Sequence, residues 1–438
     1  MRKKMSLVIA MVLSTGLLFA GGQQEAAVDV EPFDPDEQYT IELAAFPITD
    51  EALGSLLEDF NAEYPNIEVE ISSQGFDDHH ESLINDLAAG ADLPDVVLLE
   101  INYIAQFTAA GGFHDLLQEP FNAGEYEDEF IEYKWAQGTT PDGRLVAFPK
   151  DIAPASMFYR RDIFGEVGLP TEPEEVEELI GDWDGFFDVM RQLTRDESGD
   201  GNTDHWALAS AAELSNIIAE SDSQGFFDED GEPRLNDPYF VEALEIASEV
   251  REEGLDAEIE TWSAEWTEAL DRGTSAIIMH GAWMGGQLGE WIAPDTAGDW
   301  GVTQLPAGMY ANDGGSFLAI PQAAAEPAAA WEFIRWVTTN AESQLRMFQE
   351  YDIFPALHAA LEDEGFGQDE PLDFYGGQNA RAWWAEAAEQ VPEVSINRND
   401  PIAQELFDQA VEDVLLQGAN PEQRLNEAND QVGRRMTR

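Results

Sequence analysis

The sequence predicts an α/β protein with two domains, and three observations carry this prediction. With 438 residues, the chain is longer than one hydrophobic core usually supports, so two domains are expected. In its first third, alternating apolar patterns predict the order strand, helix, strand, helix, strand. The third strand, residues 96–99, is continuously apolar, as strands of a parallel sheet are when helices cover both faces. This order is typical of a doubly wound α/β domain.

The first two strands are predicted where polar and apolar side chains alternate, at residues 39–43 and 67–71. Between them, Thr49 or Asp50 can cap a helix whose apolar residues recur at helical spacing and which ends before Pro65. A second helix is expected before the third strand. The first third of the chain therefore contains the complete βαβαβ pattern.

The rest of the chain repeats this pattern less regularly. Short strands are predicted at residues 157–159, 206–209, 275–279, 300–305 and 316–320. Helices are expected to start near Asp182 or Asp184 and at Asp237, with Pro238 at the first helical position. Beyond Pro321 the sequence is mainly helical.

The N-terminus has the pattern of a secretory signal peptide over residues 1–21. Arg2, Lys3 and Lys4 precede an apolar run that is too short to span a bilayer and ends in small residues. A lipid anchor would require a cysteine, and the sequence contains none. We therefore expect an exported protein, periplasmic or extracellular and without a lipid anchor, in which residues 22–38 form an acidic, flexible tether.

The formal net charge of −68 is extreme, and the only lysines are Lys3, Lys4, Lys134 and Lys150. Such a charge argues against nucleic acid and anionic membranes as partners, because both need a cationic face. A solvated acidic surface suits high salt, where screening shortens the Debye length to about 3 Å at 1 M. We expect a halophilic protein whose stability rises with salt; the alternative is an ordinary acidic exported protein.

The sequence shows no assembled catalytic or zinc-binding motif. His79 and His80 are adjacent, whereas a helical zinc site needs histidines one turn apart. A nucleophile elbow, a phosphate-binding loop and a dinucleotide fingerprint are all missing. Because carboxylates are so abundant, a pair suited to glycoside hydrolysis remains possible.

Residues 196–204 have the spacing of a calcium-binding loop. Asp196, Ser198, Asp200 and Asp204 place oxygen side chains at the first, third, fifth and ninth positions. The twelfth position is Ala207, so the bidentate glutamate of such loops is missing. Calcium is the one candidate cofactor, and a solvated acidic turn is the alternative.

The apolar run that ends in Gly281-Ala282-Trp283 resembles the solute-binding proteins of ABC sugar importers, the maltose-binding-protein-like group. Other stretches follow in that family's order over nearly the whole mature chain. They are Leu93-Pro94-Asp95-Val96-Val97, residues 109–116, residues 143–149, Met157-Phe158-Tyr159-Arg160-Arg161-Asp162 and residues 314–321.

The resemblance implies a two-lobed fold of the type II periplasmic-binding-protein kind. Each lobe would be a sheet flanked by helices, and a hinge crossed several times by the chain would join the lobes. The crossings are expected near residues 149–154, 272–273 and 320–321. Lobe one would then comprise residues 39–150 and 274–320, and lobe two residues 151–273 and 321–438.

The resemblance also implies a sugar ligand in the cleft between the lobes. Aromatic rings suit the apolar faces of a pyranose, and carboxylates or amides suit its hydroxyls. Trp283 is the residue expected to stack on the sugar, with packing in the core as the alternative. The other expected ligand contacts are Phe46, Glu100, Asn102, Tyr103, Asp151, Glu213, Asn216, Gly315 and, most weakly, Trp384. Some relatives carry an Asp-Arg pair where this chain has Asn102 and Tyr103.

The function implied is capture of a mono- or oligosaccharide and its delivery to the membrane subunits of an ABC importer. The protein is expected to be a monomer and not an enzyme. Two alternatives stay open: the same fold binding another solute, such as a polyamine or a peptide, and a secreted glycosidase.

Overall fold

A computed structural model describes residues 30–140, 142–228, 230–363, 365–366, 371–392 and 397–436. The expected signal peptide and residues 22–29 of the expected tether lie outside these ranges. No helix in the described ranges is both long and apolar enough to cross a bilayer.

The strands are short, and most of them are fully buried. They are β1 (Tyr39–Ala45), β2 (Ile67–Ser73), β3 (Val96–Glu100), β4 (Phe148–Pro149), β5 (Asp151–Ile152), β6 (Ala155–Arg160), β7 (Trp206–Leu208), β8 (Ser275–Gly281), β9 (Trp300–Thr303), β10 (Ser316–Ala319) and β11 (Phe354–Pro355).

The helices account for much more of the chain. They are α1 (Thr49–Ser55), α2 (Leu57–Glu63), α3 (Phe76–Ala89), α4 (Ile101–Ala110), α5 (Glu132–Gln137), α6 (Arg161–Glu166), α7 (Pro173–Leu179), α8 (Trp183–Leu193), α9 (Ala211–Glu220), α10 (Pro238–Glu252), α11 (Ala264–Arg272), α12 (Met284–Gln287), α13 (Pro327–Thr339), α14 (Ala341–Tyr351), α15 (His358–Leu361), α16 (Ala380–Gln390), α17 (Asp400–Gln417) and α18 (Pro421–Met436).

Lobe one is built on a five-stranded sheet in the order β2-β1-β3-β10-β4. Its first three strands run parallel, as the sequence predicts, and β10 is antiparallel to both of its neighbours. The alternating pattern of β1 buries Ile41, Leu43 and Ala45 in the core. All five residues of β3 are buried, which explains its continuous apolar run.

Lobe two is built on a four-stranded sheet in the order β7-β8-β6-β9. The apolar strand β8 is antiparallel to β6, with Ala155 opposite Gly281, and parallel to β7. Helix α16 packs on β6 and β9, while α10, α17 and α18 pack against one another. The strand that ends in Gly281-Ala282-Trp283 therefore lies in the centre of the second sheet.

Two predicted boundaries between the lobes, at residues 273–274 and 320–321, are wrong. Strands β8 and β9 belong to lobe two, because their partners are β6 and β7, so of residues 274–320 only the β10 end belongs to lobe one. No crossing occurs at residues 272–273, since β7 and β8 share one sheet. Helices α13 and α14, expected in lobe two, pack on β1 and α1 of lobe one. Local sequence patterns identify these elements but do not determine which sheet they join.

The chain crosses between the lobes three times. The first crossing, from β4 through β5 to β6, lies at the predicted position near residues 149–154. The second runs from β9 to β10, and the third follows β11, which pairs with β5 in a small two-stranded sheet. The hinge thus contains the antiparallel pair of β5 and β11.

The expected flexible tether is also partly wrong. From residue 30 the chain lies on lobe one, with Val30 and Phe33 packed against its core. The Phe33 ring lies 5.3 Å from the Tyr39 ring, and the Asp34 amide donates to the Tyr39 hydroxyl. An aromatic anchor therefore fixes residues 30–38, although their composition is acidic.

Candidate functional site

A cavity of about 170 Å³ lies between the two lobes. Helices α4 and α5 of lobe one form one wall, and α9, the loop after it and the start of α17 form the other. The β9–β10 crossing closes one side. The lining residues are Ile101, Asn102, Ala105, Tyr133, Gln137, Asn216, Ala219, Glu220, Asp222, Gly225, Phe226, Asn312, Gly314, Val391, Pro392, Asp400, Pro401 and Gln404.

Three lining residues carry buried oxygen atoms with no hydrogen-bond partner among the described residues: Gln137 Oε1, Asn216 Oδ1 and Glu220 Oε2. Gln137 is only 8% exposed. Leaving a buried acceptor unpaired costs roughly 1–3 kcal/mol. Such atoms also occur outside the cavity lining, for example on Ser156, Ser275 and Asn429. Gln137, Asn216 and Glu220 all line the same cavity.

The local sequence explains how α9 brings two of these atoms to the cavity. Ser210 caps the helix by accepting from the Ala212 amide, and Leu214, Ile217 and Ile218 are buried in the core of lobe two. Asn216 and Glu220 are four residues apart, so they lie on one face of the helix, one turn from each other. That face lines the cavity.

The cavity wall is acidic. Asp222 is paired with Arg234 at 2.7 Å. Asp400 accepts from the Asn397 amide at 2.7 Å, and burial raises its pKa to about 7. Burial also raises the pKa of Glu220, and the nearby carboxylates add to the effect. These three carboxyl groups differ in that Glu220 alone has a buried oxygen without a partner in the described structure.

Trp283 lies beside the cavity rather than deep within one lobe. Its indole is half-buried and donates from Nε1 to the carbonyl of Asp313 at 2.7 Å. A Cβ atom built on Gly314, which lines the cavity, would lie 3.0 Å from the same Nε1. The ring is thus held against the β9–β10 crossing, where any side chain at residue 314 would displace it.

A second tryptophan extends this aromatic surface. The Trp262 ring lies 5.8 Å from the Trp283 ring at an interplanar angle of 25°, and Trp262 is 49% exposed. Its φ of 66° is unusual for a bulky residue, and such strain often accompanies functional sites. Trp262 and Trp283 together form what we call the tryptophan platform.

Two of the predicted contacts, Asn102 and Asn216, line the cavity. They come from opposite lobes, Asn102 from the first turn of α4 and Asn216 from α9. Some relatives carry an Asp-Arg pair where this chain has Asn102 and Tyr103. Of these two residues, Asn102 lines the cavity. The structure brings these two residues together with Trp283 at the interlobe boundary.

Asp151 lies in the hinge, and its carboxylate is fully engaged there. It accepts from Lys150 Nζ at 2.5 Å, from the Ser316 amide at 2.5 Å and from Ser316 Oγ at 2.7 Å. Burial alone would raise its pKa, but the adjacent Lys150 and Lys134 lower it overall. This bonding favours a structural role for Asp151 in the hinge over the predicted contact with a sugar.

Gly315 and Glu100 belong to the same hinge region. Gly315 has a φ of 98°, and a Cβ there would lie 2.8 Å from the Asp151 carbonyl and 2.9 Å from Lys134 Nζ. The Glu100 carboxylate caps α4 by accepting from the Asn102 amide at 2.8 Å, and burial raises its pKa to about 8. Both residues shape the hinge next to the cavity without lining it.

Phe46 and Tyr103 join an aromatic cluster on lobe one. The Tyr103 ring stacks on His80 at 4.1 Å and its hydroxyl donates to Asp77 at 3.3 Å. Phe46 contacts Phe76 edge to face at 5.2 Å. Neither residue is among those lining the cavity.

Trp384 was the weakest prediction and is wrong. Its ring is fully buried in lobe two, 6.2 Å from Phe158 and 6.0 Å from Tyr375. Glu213 is also buried, and its Oε1 accepts from Trp266 at 2.6 Å and from Thr261 at 2.9 Å. Both side chains are buried in lobe two, and neither lines the cavity.

In the loop at residues 196–204, carboxylates bond to the backbone. Asp196 accepts from the Gly199 and Gly201 amides, and Asp204 accepts from the Ser198 amide. Over the described ranges, no three His, Asp or Glu side chains form a group suited to a metal ion. Calcium binding at Asp196, Ser198, Asp200 and Asp204 stays a prediction, and calorimetry that detects no heat on calcium addition would contradict it.

Sequence reasoning missed Gln137, Glu220 and Trp262. Glu220 lies one helical turn after Asn216, so the spacing of the predicted contact would have identified it. Gln137 is the last residue of a short helix in which Tyr133, Lys134 and Trp135 are also buried, and it gave no such signal. Trp262 is separated in sequence from Trp283, and only the fold brings them together.

The comparisons with known proteins agree with this architecture. A family model described as bacterial extracellular solute-binding protein matches residues 46–344. A lactose-binding protein of Rhizobium radiobacter is 27% identical over 355 residues, 77% of this chain and 79% of that protein. An arabinooligosaccharide-binding protein of Halalkalibacterium halodurans is 21% identical over 85% of this chain and 84% of its own length.

Solved structures show the same fold. An extracellular solute-binding protein of family 1 superposes with a TM-score of 0.76 and 24% identity, over 90% of this chain and 99% of that one. The binding protein of an ABC transporter from B. animalis subsp. lactis, in complex with β-1,6-galactobiose, gives 0.74 and 22% identity over 90% and 97% of the chains. The predicted two-lobed type II fold is therefore confirmed, and the chain belongs to the bacterial extracellular solute-binding protein family.

Proposed function

We propose that this protein captures a sugar in the interlobe cavity and delivers it to the membrane subunits of an ABC importer. The observation that carries the proposal is the set of buried, unpaired acceptors on Gln137, Asn216 and Glu220. Sugar hydroxyls are donors of suitable size for such atoms. The named ligands of the relatives, lactose and arabinooligosaccharides, point to the same chemistry.

The tryptophan platform supports the same ligand class. An exposed indole face suits the apolar C–H face of a pyranose, and the platform meets the cavity at Gly314. A ligand of two or more rings would occupy both the cavity and the platform. The rings then supply contact area, while the amides and carboxyl groups set orientation.

Binding and release would follow from movement of the two lobes about the hinge. The cavity takes lining residues from both lobes, so a ligand contacts its full set of partners only when the lobes are closed. Closure is favoured to the extent that the ligand binds the closed state more tightly than the open one. The closed, loaded protein would be the form that docks on the importer.

The cavity favours binding over hydrolysis. A glycosidase needs two free carboxyl groups flanking the scissile bond. Here Asp222 is paired with Arg234, and the relatives that match this chain are binding proteins. We therefore propose that the protein is a carrier and not an enzyme. We also propose that it is a monomer and that residues 1–21 are the signal peptide that directs its export.

A thermal-shift screen of mono- and oligosaccharides in molar salt tests the proposal. A sugar present at 100 times its Kd should stabilise the protein by about 2.7 kcal/mol. The bound sugar should be recovered intact after prolonged incubation. Stabilisation by polyamines or peptides with no response to any sugar would contradict the proposal, as would release of hydrolysis products.

A further inference from the structure

The charged side chains that line the cavity are all acidic. Its lining includes the carboxyl groups of Glu220, Asp222 and Asp400, and none of the described lining residues is Lys, Arg or His. Asp313, Glu100 and Asp408 lie close enough to add to the negative potential at Glu220. A ligand that enters this cavity therefore meets carboxyl groups and amides without a cationic partner.

The carboxyl groups of the lining differ in what they already bind. Arg234 neutralises Asp222 at 2.7 Å, and the Asn397 amide donates to Asp400. Glu220 Oε2 is buried and has no partner in the described structure. A buried carboxyl group in this state is stabilised by a donor or a cation brought by a ligand.

The unpaired atoms also share one polarity. Gln137 Oε1 and Asn216 Oδ1 are acceptors, and Glu220 Oε2 is an acceptor when its carboxyl group is ionised, the form that a cationic ligand group favours. An ammonium group offers three donors and no acceptor, and a hydroxyl offers one donor, whereas an ionised carboxylate or phosphate offers acceptors alone. An anionic group placed at these atoms would therefore leave them unpaired and would itself be buried without a counter-charge.

The volume of about 170 Å³ limits what the cavity holds. It is below the roughly 300–1,000 Å³ of sites that enclose drug-sized ligands. A space of this size suits one sugar ring. Further rings of a longer ligand would lie outside, toward the tryptophan platform.

We propose that the cavity selects one hexose ring by charge, with Glu220 setting the order: amine-bearing hexose first, neutral hexose second and acidic hexose last. This inference rests on the proposed function and specifies its ligand class. Hydrogen bonds to a charged partner are stronger than neutral ones by about 1.4 kcal/mol, which corresponds to about ten-fold in affinity.

Two matched sugar series test the order by calorimetry: D-galactose, D-galactosamine and D-galacturonic acid, and D-glucose, D-glucosamine and D-glucuronic acid. In at least one series the amino sugar should bind about ten-fold more tightly than the neutral sugar, and the acid about a hundred-fold more weakly. In Glu220→Gln, the advantage of the amino sugar should fall below about three-fold, while affinity for the neutral sugar changes by less than about ten-fold.

Glu245→Gln is the matched control, because it removes one exposed carboxylate from α10 of the same lobe and should leave the order unchanged. Equal affinity for the acid and the neutral sugar would overturn the inference. So would an amine advantage that persists in Glu220→Gln or is missing in the wild type. If all six hexoses fail to bind while an oligosaccharide binds, this inference fails and the proposed function stands.

Discussion

The hinge and the cavity wall both bury polar side chains, but they differ in how those side chains are bonded. In the hinge, three internal donors surround the Asp151 carboxylate. Lys134 Nζ has no hydrogen-bond partner in the described structure, but it lies 3.7 Å from the centre of the Phe317 ring. In the cavity wall, Gln137, Asn216 and Glu220 each carry a buried oxygen without a hydrogen-bond partner in the described structure. The bonded group holds the hinge, and we propose that a ligand completes the unpaired groups.

Removing the hinge charge should have the largest effect on the protein. Asp151→Asn keeps the side-chain size but leaves Lys150, which is 0% exposed, without its counter-charge. Breaking a buried pair in this way should lower the free energy of unfolding by about 3 kcal/mol or more. Urea unfolding in molar salt measures the change, with Glu245→Gln as the control. A loss below about 1 kcal/mol would show that the hinge pair is not a major stabilising contact.

Removing an unpaired acceptor should lower sugar affinity without lowering stability, unlike the stability loss expected for Asp151→Asn. Asn216→Leu replaces the amide with an apolar group of similar size, so the buried unpaired oxygen disappears. Stability should stay the same or rise, while sugar affinity should fall by about ten- to a hundred-fold. Unfolding and calorimetry on the same preparation separate the two effects. A destabilised variant with unchanged affinity would mean that Asn216 is structural.

The tryptophan platform should contribute less to sugar affinity than the unpaired acceptors do, but more than an exposed tryptophan outside the site. Trp283→Ala should weaken sugar binding by about ten-fold or more, since a stacked aromatic contact contributes roughly 1.5 kcal/mol. Trp291→Ala is the matched control, because Trp291 is 51% exposed and is not part of the platform or the cavity lining. Equal affinities for the two variants would assign Trp283 a packing role.

Salt should change stability with little effect on affinity. The net charge of −68 creates self-repulsion that salt screens, so the melting temperature should rise from low to molar NaCl. Affinity for a neutral sugar depends on uncharged contacts and should change by less than about three-fold. A melting temperature that does not respond to salt would remove the halophilic interpretation.

The sequence predicted the elements better than their arrangement. The parallel strands β1 to β3 form a local pattern, in which each strand is followed by a helix and returns beside an earlier strand. Strand β8 has an equally clear apolar pattern, but its partners are more than 60 residues away at Trp206–Leu208 and more than 100 at Ala155–Arg160. Sequence patterning does not encode which distant strand completes a sheet.

The candidate site shows the same limit of prediction from sequence. Asn102 and Asn216 were predicted from the resemblance to the solute-binding proteins of ABC sugar importers, and both line the cavity. Asp151 was placed correctly at the hinge, but its role depends on the donors of Ser316, which is 165 residues away. Trp384 was misplaced because a tryptophan pair on a helix does not reveal which ring faces the core.

A crystal structure of the protein with a sugar selected by the screen tests the central claim most directly. We expect sugar hydroxyls within hydrogen-bonding distance of Gln137 Oε1 and Asn216 Oδ1, with both lobes in contact with the ligand. A sugar bound elsewhere on the molecule, with these two oxygens still unpaired, would contradict the account.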